Sequence, residues 1–366
     1  MGTDTAGEHL RAVAGPVRRR HGPPRHGLPA PSVRMGIPSG PRARVEGVSQ
    51  MEFRRVGESG LEVSVVGIGC NQFGRRVDAA GVARIVHAAL DAGVTLFDTA
   101  DVYAGGESER LLGAALRGRR DGAIVATKVG QQMGEGPYST GASRRHIRAG
   151  VEASLRRLGS DWIDLYQIHV PDADTPIEET LSALDDLVRE GKVRYIGCSN
   201  FSGWQIADAD WTSYVHHFSR FVSAQNEYSL LNREAEAEVV PACEHFGLGL
   251  IPYFPLMRGL LTGRYRRGEA APEGGRLSGA AGEQFLTDEN FDIVEGLSAY
   301  ARRKGTDLLG VAIGGLLAQP AVASVIAGAS QADQVLANVE AAEWQPTPED
   351  LAELDEIAPP GHPVSE

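Results

Sequence analysis

The sequence predicts an α/β protein, a (β/α)8 (TIM) barrel of parallel strands with its active site at the C-terminal strand ends. Two observations lead to this fold. Short apolar runs alternate with helical patterns eight times, which predicts parallel strands joined by right-handed crossovers. In addition, three of the early runs end at an ionisable residue, at Asp98, Lys128 and His169. Successive strands that end in this way predict one site at one end of the sheet.

Each run is short, nearly continuous and bounded by turn residues, as is typical of a buried parallel strand. The predicted strands are Val63–Ile68, Val94–Phe97, Ala123–Thr127, Ile163–Ile168, Val193–Gly197, Phe221–Ala224, Leu248–Tyr253 and Val322–Ile326. Apolar spacing predicts helices at Ala79–Asp91, Ser108–Leu116, Ser143–Leu158, Ile177–Glu190, Ser202–Ala209, Arg233–His245, Glu289–Arg302, Leu308–Leu317 and Ala332–Ala341. The third helix has a clear start at Ser143, an N-cap residue, and a clear stop at Gly159.

The alternation also fits an open, doubly wound sheet that binds a dinucleotide. Such a sheet carries the pattern G-x-G-x-x-G between its first strand and first helix. Here the first turn runs from Gly67 through Gly69 to Gly74, and it lacks glycine at the third position of the pattern. The closed barrel is therefore favoured over a Rossmann-type dehydrogenase.

Composition describes a globular chain of 366 residues, of which 42% are hydrophobic and 23% are charged. Since no apolar run approaches 18 residues, no membrane span is predicted. Three widely spaced cysteines without a C-x-x-C pair favour neither a disulfide framework nor a zinc site. His216 and His217 have no third ligand at a metal-like spacing. We therefore expect no metal and a cytoplasmic location.

Residues 1–50 differ from the rest of the chain. They are rich in Pro, Gly and Arg, and their eight arginines and three acids give +5, which leaves −17 for residues 51–366. Because they lack any apolar period, we predict a disordered extension at 1–50 and a single barrel domain at 51–366. The acidic body argues against nucleic acid as a partner.

Asp98, Tyr103, Lys128 and His169 together suit the protonation of a carbonyl oxygen. A lysine near a tyrosine stabilises the phenolate and lowers the tyrosine pKa, and a carboxylate holds the lysine in place. A histidine at the same mouth can hydrogen-bond a substrate oxygen. This set of residues has no reductant of its own, so a hydride-carrying cofactor is expected.

These residues, in this order, resemble the aldo-keto reductases. The matching stretches are 97–103, 126–130 and 164–169, followed by 197–201, 225–228 and 259–263. The resemblance runs from about Met51 to about Ala341. It implies a (β/α)8 barrel that binds a nicotinamide dinucleotide and reduces an aldehyde or ketone, or oxidises a sugar or alcohol in reverse.

The resemblance also implies a role for each site residue. Tyr103 would be the general acid, Lys128 and Asp98 its tuning pair, and His169 the group that orients the carbonyl. Ser199, Asn200 and Gln225 would hold the carboxamide, with Tyr253 stacked on the nicotinamide ring. Ser199 and Asn200 could also cap the following helix, and Tyr253 could instead be a core aromatic residue.

The adenosine end would lie in the segment after the last strand, where the candidates are Gly328, Ser330, Gln334 and Asn338. Family members that select NADP place Arg or Lys in this segment. The neutral residues here lead us to expect NADP(H), possibly NAD(H), with a weak preference unless another cation such as Arg258 grips the phosphate.

One further class of function fits the same resemblance. This barrel can also serve as a cofactor-binding regulatory subunit, like the channel-associated members of the family. An intact set of four catalytic residues favours the enzyme. The substrate pocket would be bordered by Gly130–Ala142, Phe254–Phe285 and the tail after Pro346, all of them loop-like, so the sequence leaves the carbonyl or sugar substrate and the oligomeric state open.

Overall fold

The computed structural model describes residues 51–272 and 275–361. The predicted extension at 1–50 lies outside the described residues. The described part is a (β/α)8 barrel preceded by a short β-hairpin and followed by one further helix. None of its helices is both long and apolar enough to cross a bilayer.

The hairpin consists of β1 (Phe53–Arg55) and β2 (Glu62–Ser64), which pair antiparallel. The prediction of one strand over Val63–Ile68 is therefore wrong, because the chain leaves the hairpin at Ser64 and starts the barrel at Val66. Apolar residues of the hairpin region, including Val56 and Leu61, pack against inward-facing residues of the barrel strands. The hairpin thus covers one end of the barrel.

Eight parallel strands form the barrel, and each pairs with its neighbour in chain order. They are β3 (Val66–Gly69), β4 (Leu96–Asp98), β5 (Ile124–Val129), β6 (Ile163–Ile168), β7 (Val193–Ser199), β8 (Phe221–Gln225), β9 (Gly249–Leu250) and β10 (Val325–Gly328). β10 also pairs with β3. Backbone hydrogen bonds join β9 to the residues just before β10, with Leu250 N donating to Ala321 O at 2.7 Å and Ala323 N donating to Leu250 O at 2.9 Å, so the ring of strands is closed.

Helices surround the strands. They are α1 (Ala79–Asp91), α2 (Glu107–Ala115), α3 (Arg144–Leu158), α4 (Ile177–Arg189), α5 (Gly203–His216), α6 (Val239–Phe246), α7 (Ala280–Glu283), α8 (Asp288–Lys304), α9 (Leu308–Leu317), α10 (Ala332–Ala341) and α11 (Pro348–Ile357). The predicted boundaries of α3 are confirmed, since Ser143 caps its first turn and Gly159 ends it at φ 61°. Left-handed backbone of this kind favours glycine.

The segment 233–245 and the tail after Pro346 also differ from their predictions. The helix expected at Arg233–His245 is divided into a 3-10 turn (Glu234–Glu236) and α6. Pro241 explains the division, because proline lacks an N–H donor and fits only the first turn of a helix. The tail after Pro346 is the helix α11, where a loop was expected, and Thr347 and Asp350 form a capping box at its start.

Candidate active site

The C-terminal strand ends open into a cavity of about 950 Å³. Register between neighbouring strands sets Asp98 beside Ala126 and Lys128 beside Gln167, so that the predicted residues meet at one level of the barrel. Eleven predicted residues line this cavity: Asp98, Tyr103, His169, Ser199, Asn200, Gln225, Tyr253, Gly328, Ser330, Gln334 and Asn338. The twelfth, Lys128, is fully buried and bonded to Asp98.

Asp98 and Lys128 form a buried ion pair. Lys128 Nζ lies 2.6 Å from Asp98 Oδ2 and 2.9 Å from the carbonyl oxygen of Thr99. The other carboxylate oxygen, Oδ1, accepts hydrogen bonds from Gln225 Nε2 at 2.8 Å and Gln167 Nε2 at 3.3 Å. Burial alone would lower the pKa of Lys128, but Asp98 and Tyr103 outweigh it, and the pKa is raised above its usual value. The ammonium group is therefore charged at neutral pH.

Tyr103 begins the turn that follows β4. Its ring centroid lies 5.2 Å from Lys128 Nζ, and its ring meets that of His169 edge to face at 5.8 Å. The next three residues are left-handed, beginning with Ala104 at φ 50°. Non-glycine residues rarely adopt this conformation, and such strain is common at functional sites. The turn fixes the ring above the lysine.

The pKa of Tyr103 is raised, in contrast to the expected lowering by Lys128. Burial is the main cause, while Lys128 opposes the rise. The phenol is therefore protonated at neutral pH, and the nearest cation is placed to stabilise the phenolate as the proton leaves.

His169 is a neutral imidazole at physiological pH. Burial, aided by the charge of Lys128, lowers its pKa from 6.5 to about 3. Its backbone is fixed on both sides, since the amide donates to Val129 O at 2.8 Å and Asn200 Nδ2 donates to the carbonyl at 2.9 Å. Its Nδ1 is buried without a partner among the described residues, and a neutral imidazole offers one donor and one acceptor.

The residues predicted to hold the carboxamide and the nicotinamide ring lie at the ends of β7, β8 and β9. Tyr253 Oη donates to Asn200 Oδ1 at 2.8 Å, and Ser199 Oγ donates to the carbonyl oxygen of Gln225 at 2.8 Å. Asn200 Nδ2 also contacts Ser199 Oγ at 3.1 Å. Since Gln225 Nε2 bonds to Asp98, one chain of hydrogen bonds connects these four residues to the ion pair.

At the far end of the cavity, the loop after β10 contains two of the predicted neutral residues. Gln334 Oε1 accepts from the amide of Ser330 at 2.7 Å and from its hydroxyl at 3.1 Å. Gly328 is exposed, whereas Asn338 is buried. A Cβ atom on Gly328 would lie 2.7 Å from Nη2 of Arg276. An arginine is therefore present at the place where the sequence showed only neutral side chains.

Arginines dominate the charge of the cavity lining. In the described part of the chain, the lining contains a single carboxylate, that of Asp98, and five arginines: Arg75, Arg76, Arg258, Arg264 and Arg276. Among the described residues, no carboxylate lies within 4 Å of Arg258 or Arg276. Arg258 packs over Phe254 and Phe285, with ring distances of 4.2 and 4.8 Å. Burial and the neighbouring arginines lower the pKa of Arg276.

Sequence reasoning found Arg258 but missed the other four arginines. Arg75 and Arg76 follow the first turn, and Arg276 lies in the long glycine-rich loop after β9. No periodic pattern relates these positions, so only the path of the chain brings them together.

Two of the segments predicted to border the substrate pocket do line the cavity. Segment 130–142 contributes Gln131, and segment 254–285 contributes several residues. The described part of the tail after Pro346, residues 347–361, does not line the cavity, and residues 362–366 lie outside the described residues.

The residues present fit a nicotinamide dinucleotide. The arginine end suits phosphate groups, because guanidinium donors match phosphate oxygens. The opposite end offers amide and hydroxyl groups at Ser199, Asn200 and Gln225, the hydrogen-bonding types that a carboxamide needs. The buried and unpartnered Arg258 Nε is a further donor without an acceptor among the described residues.

Comparison with known proteins agrees with the fold. A family model described as "Aldo/keto reductase family" matches residues 65–359. The chain is 35% identical over 318 residues to a probable voltage-gated potassium channel subunit beta of Oryza sativa subsp. japonica, covering 84% of this chain and 96% of the relative. It is 33% identical over 329 residues to L-glyceraldehyde 3-phosphate reductase of Escherichia coli O157:H7, covering 86% and 94%. It is also 33% identical over 338 residues to versiconal hemiacetal acetate reductase of Aspergillus parasiticus, covering 84% and 96%.

The closed (β/α)8 barrel is the fold of the aldo/keto reductases, a family whose members generally use nicotinamide cofactors. The chain belongs to the aldo/keto reductase family. It is an oxidoreductase that acts on carbonyl groups.

Proposed function

We propose that this protein reduces an aldehyde or ketone with NADP(H), and that Tyr103 supplies the proton. The observation that carries the proposal is the arrangement of Tyr103 above Lys128, which is held by Asp98 at 2.6 Å. When bound, the nicotinamide dinucleotide supplies or accepts the hydride. The reverse reaction on an alcohol or sugar uses the same residues in the opposite order.

Tyr103 acts as the general acid. Its raised pKa keeps the phenol protonated at neutral pH, so that it can donate to a carbonyl oxygen that is gaining negative charge. As the proton leaves, the Lys128 ammonium stabilises the phenolate, and Asp98 keeps that ammonium charged and in place. A proton from solvent restores the phenol after turnover.

His169 orients the carbonyl. Its low pKa means that the ring contributes a hydrogen bond rather than a positive charge. Its edge-to-face contact with Tyr103 puts both groups on the same side of the cavity, so a carbonyl oxygen between them can contact both.

The remaining predicted residues hold the cofactor. Ser199 and Asn200 bind the carboxamide, with Gln225 accepting through Oε1 because its Nε2 bonds to Asp98. Tyr253, whose hydroxyl is fixed by Asn200, presents its ring to the nicotinamide. A reducing compartment such as the cytoplasm suits the three buried free cysteines.

The choice of NADP(H) rests on Arg276. It lies against Gly328, beside the Ser330 and Gln334 pair at the adenosine end. A 2′-phosphate adds close to two negative charges, and NADP(H) alone would present them there. With Arg276 at this place, we expect a clear preference for NADP(H) rather than the weak preference that the neutral residues of this loop alone predict.

Oxidation of NADPH and NADH across a panel of aldehydes and ketones, in both directions, tests the activity. Tyr103→Phe is expected to lower turnover by at least about 100-fold, because general acid catalysis contributes that much, while the melting temperature and the cofactor Kd change little. Tyr195→Phe, which removes a phenol outside the cavity lining, is the matched control. If Tyr103→Phe retains more than a third of wild-type turnover, Tyr103 is not the acid.

Isothermal titration with NADPH and NADH tests the cofactor choice without any turnover. Arg276→Met is expected to weaken NADPH binding by about 10- to 150-fold, the value of one charged hydrogen bond, and NADH binding by a few fold. Arg117→Met, on an exposed side chain outside the cavity, is the control. Equal losses for both cofactors would mean that Arg276 contacts a group that they share, and the preference would then have another cause.

A further inference from the structure

Helix α5 carries an exposed aromatic surface outside the active site. Of the seven large hydrophobic side chains that are exposed in the described part of the chain, four lie on this helix: Trp204, Trp211, Tyr214 and Val215, with exposed fractions of 58–67%. The buried residues of α5, such as Ile206 and Ala209, lie on its opposite side and pack against the barrel. The exposed residues therefore contribute little to the core.

Together with the exposed Asp208, these side chains form one surface, which we call the α5 face, and a strip of four residues runs along it. Trp204, Asp208, Trp211 and Val215 follow one another at spacings of four, three and four, which aligns them along one side of a helix. Eleven residues separate the ends of the strip, or about 16 Å. Trp211 and Tyr214 already stack edge to face with ring centroids 5.8 Å apart, so the surface is preformed.

The area of the α5 face suits the centre of a protein interface. An aromatic side chain has about 150–250 Å² to bury, so three of them at these exposures offer about 300–450 Å². A stable interface buries about 800 Å² on each partner, with an apolar centre and a polar rim. The α5 face would thus supply about half of one side.

We propose that the α5 face is a homodimer interface, in which the α5 helices of two copies pack antiparallel about a twofold axis. A twofold interface requires that each residue pair occurs twice. An axis midway between Asp208 and Trp211 places Asp208 of one copy opposite Trp211 of the other. The same axis places Trp204 of one copy opposite Val215 of the other. The strip is therefore complementary to itself.

The polar atoms of the strip agree with this pairing. The indole N–H of Trp211 donates to no atom of the described residues, and buried indoles need an acceptor. In the dimer, the exposed Asp208 carboxylate of each copy faces the Trp211 indole N–H of the other copy, so this contact occurs twice. The neighbouring carboxylates are already engaged, Asp210 with Arg220 and Glu178 with His216 at 3.7 Å, whereas Asp208 has no ion-pair partner among the described residues.

Sedimentation velocity of the full chain, over a range of concentrations, tests the proposal. Wild type is expected to dimerise, and Trp211→Glu is expected to weaken the dimer by at least about 30-fold, since it removes a central aromatic and sets a second carboxylate opposite Asp208. Phe53→Glu, on an exposed aromatic of the hairpin, is the control and should leave the dimer intact. Carbonyl turnover and melting temperature report that both variants are folded.

The double variant Asp208→Lys/Trp211→Glu tests the antiparallel pairing itself. It replaces the contact across the axis with two pairs of opposite charge, so the dimer should recover relative to Trp211→Glu alone. A double variant that stays monomeric would overturn the pairing. A wild type that is monomeric at every concentration, or a dimer that survives Trp211→Glu, would overturn the interface and leave the α5 face to a different partner.

Discussion

Asp101 is a buried carboxyl group two residues before Tyr103. Its side chain is 2% exposed, and Oδ1 has no hydrogen-bond partner among the described residues. The facing groups are Glu109, which is paired with Arg157 at 2.6 Å, as well as Lys128 and Tyr166. Burial, with the Glu109 carboxylate as the second cause, raises the pKa of Asp101 from 3.8 to about 7.

A raised carboxyl pKa makes stability depend on pH in a direction opposite to the usual one. Between pH 3.8 and 7 the folded state binds the proton and the unfolded state does not, so the free energy of unfolding falls as pH rises. From pH 5 to pH 8 the loss is about 3 kcal/mol. Asp101→Asn removes this titration. The gain in free energy of unfolding of the variant over wild type should therefore be larger at pH 8 than at pH 5.

Urea unfolding at the two pH values measures this difference. The lowered pKa of His169 acts in the opposite sense, destabilising the fold as pH falls below 6.5, but it is present in both proteins and cancels in the comparison. The exposed Asp161→Asn is the control, for which the difference between the two pH values should be near zero. An equal gain at both pH values would show that Asp101 does not titrate in this range.

The placement of single residues was predictable where the strand pattern determined at which end of the sheet they lie. The pairing of Asp98 with Lys128 followed from two adjacent strands that end in opposite charges. Gln167 was not predicted to bond to Asp98, because a polar residue inside an apolar run gives no sign of what it faces. The raised pKa of Tyr103 was missed since burial depends on the loops above it.

At the scale of elements, the buried Arg233 connects α11 to the segment after β8. Arg233 is 5% exposed, and its Nη1 donates to the carbonyl of Ala358 at 2.6 Å and to Asp355 at 2.7 Å. Its Nε and Nη2 donate to Glu236 at 2.7 and 2.9 Å. Since Tyr228 also donates to Glu236, this network joins α11 to the segment after β8.

Arg233→Met is expected to lower the free energy of unfolding by about 3–5 kcal/mol, because it leaves the partly buried Glu236 without its cation. Chemical denaturation measures the loss. Arg267→Met is the comparison, since Arg267 contacts three carboxylates that are all exposed and surface pairs contribute about 0–1 kcal/mol. Similar losses in the two variants would contradict the role of burial.

Helices with clear end signals were predicted well, while two others were not. The bounds of α1, α9 and α10 agree with the sequence pattern. α5 extends to His216, beyond the predicted range, because aromatic residues on its exposed side obscured the amphipathic period. α11 was missed because only a few apolar residues, such as Leu354, face the core.

For the whole molecule, the hairpin is the first element of the described part of the chain. Deleting residues 1–50 is expected to leave the melting temperature and turnover unchanged, because their composition predicts no core. Deleting residues 1–61 is the control and should destabilise the protein, since it removes β1 together with the buried Val56 and Leu61. Calorimetry and carbonyl turnover measure both, and a large loss in the shorter deletion would assign a structural role to the extension.

The choice of a closed barrel over an open sheet was predictable from the alternation of elements and the first glycine turn. The hairpin was not, because three-residue strands leave little pattern. The cationic end of the cavity was also not predictable, since its arginines come from distant parts of the chain and meet only after the loops fold.

The bond from Gln225 to Asp98 has a consequence for recombination between related barrels. β8 and β4 are four strands apart in a ring of eight, so this bond spans the full diameter of the barrel. Asp98 and Lys128 belong to the first four strands, whereas Gln225 belongs to the last four. A chimera that joins the first half of this protein to the second half of another would retain the ion pair yet lose a donor to it, unless the incoming half brings an amide at the end of the same strand.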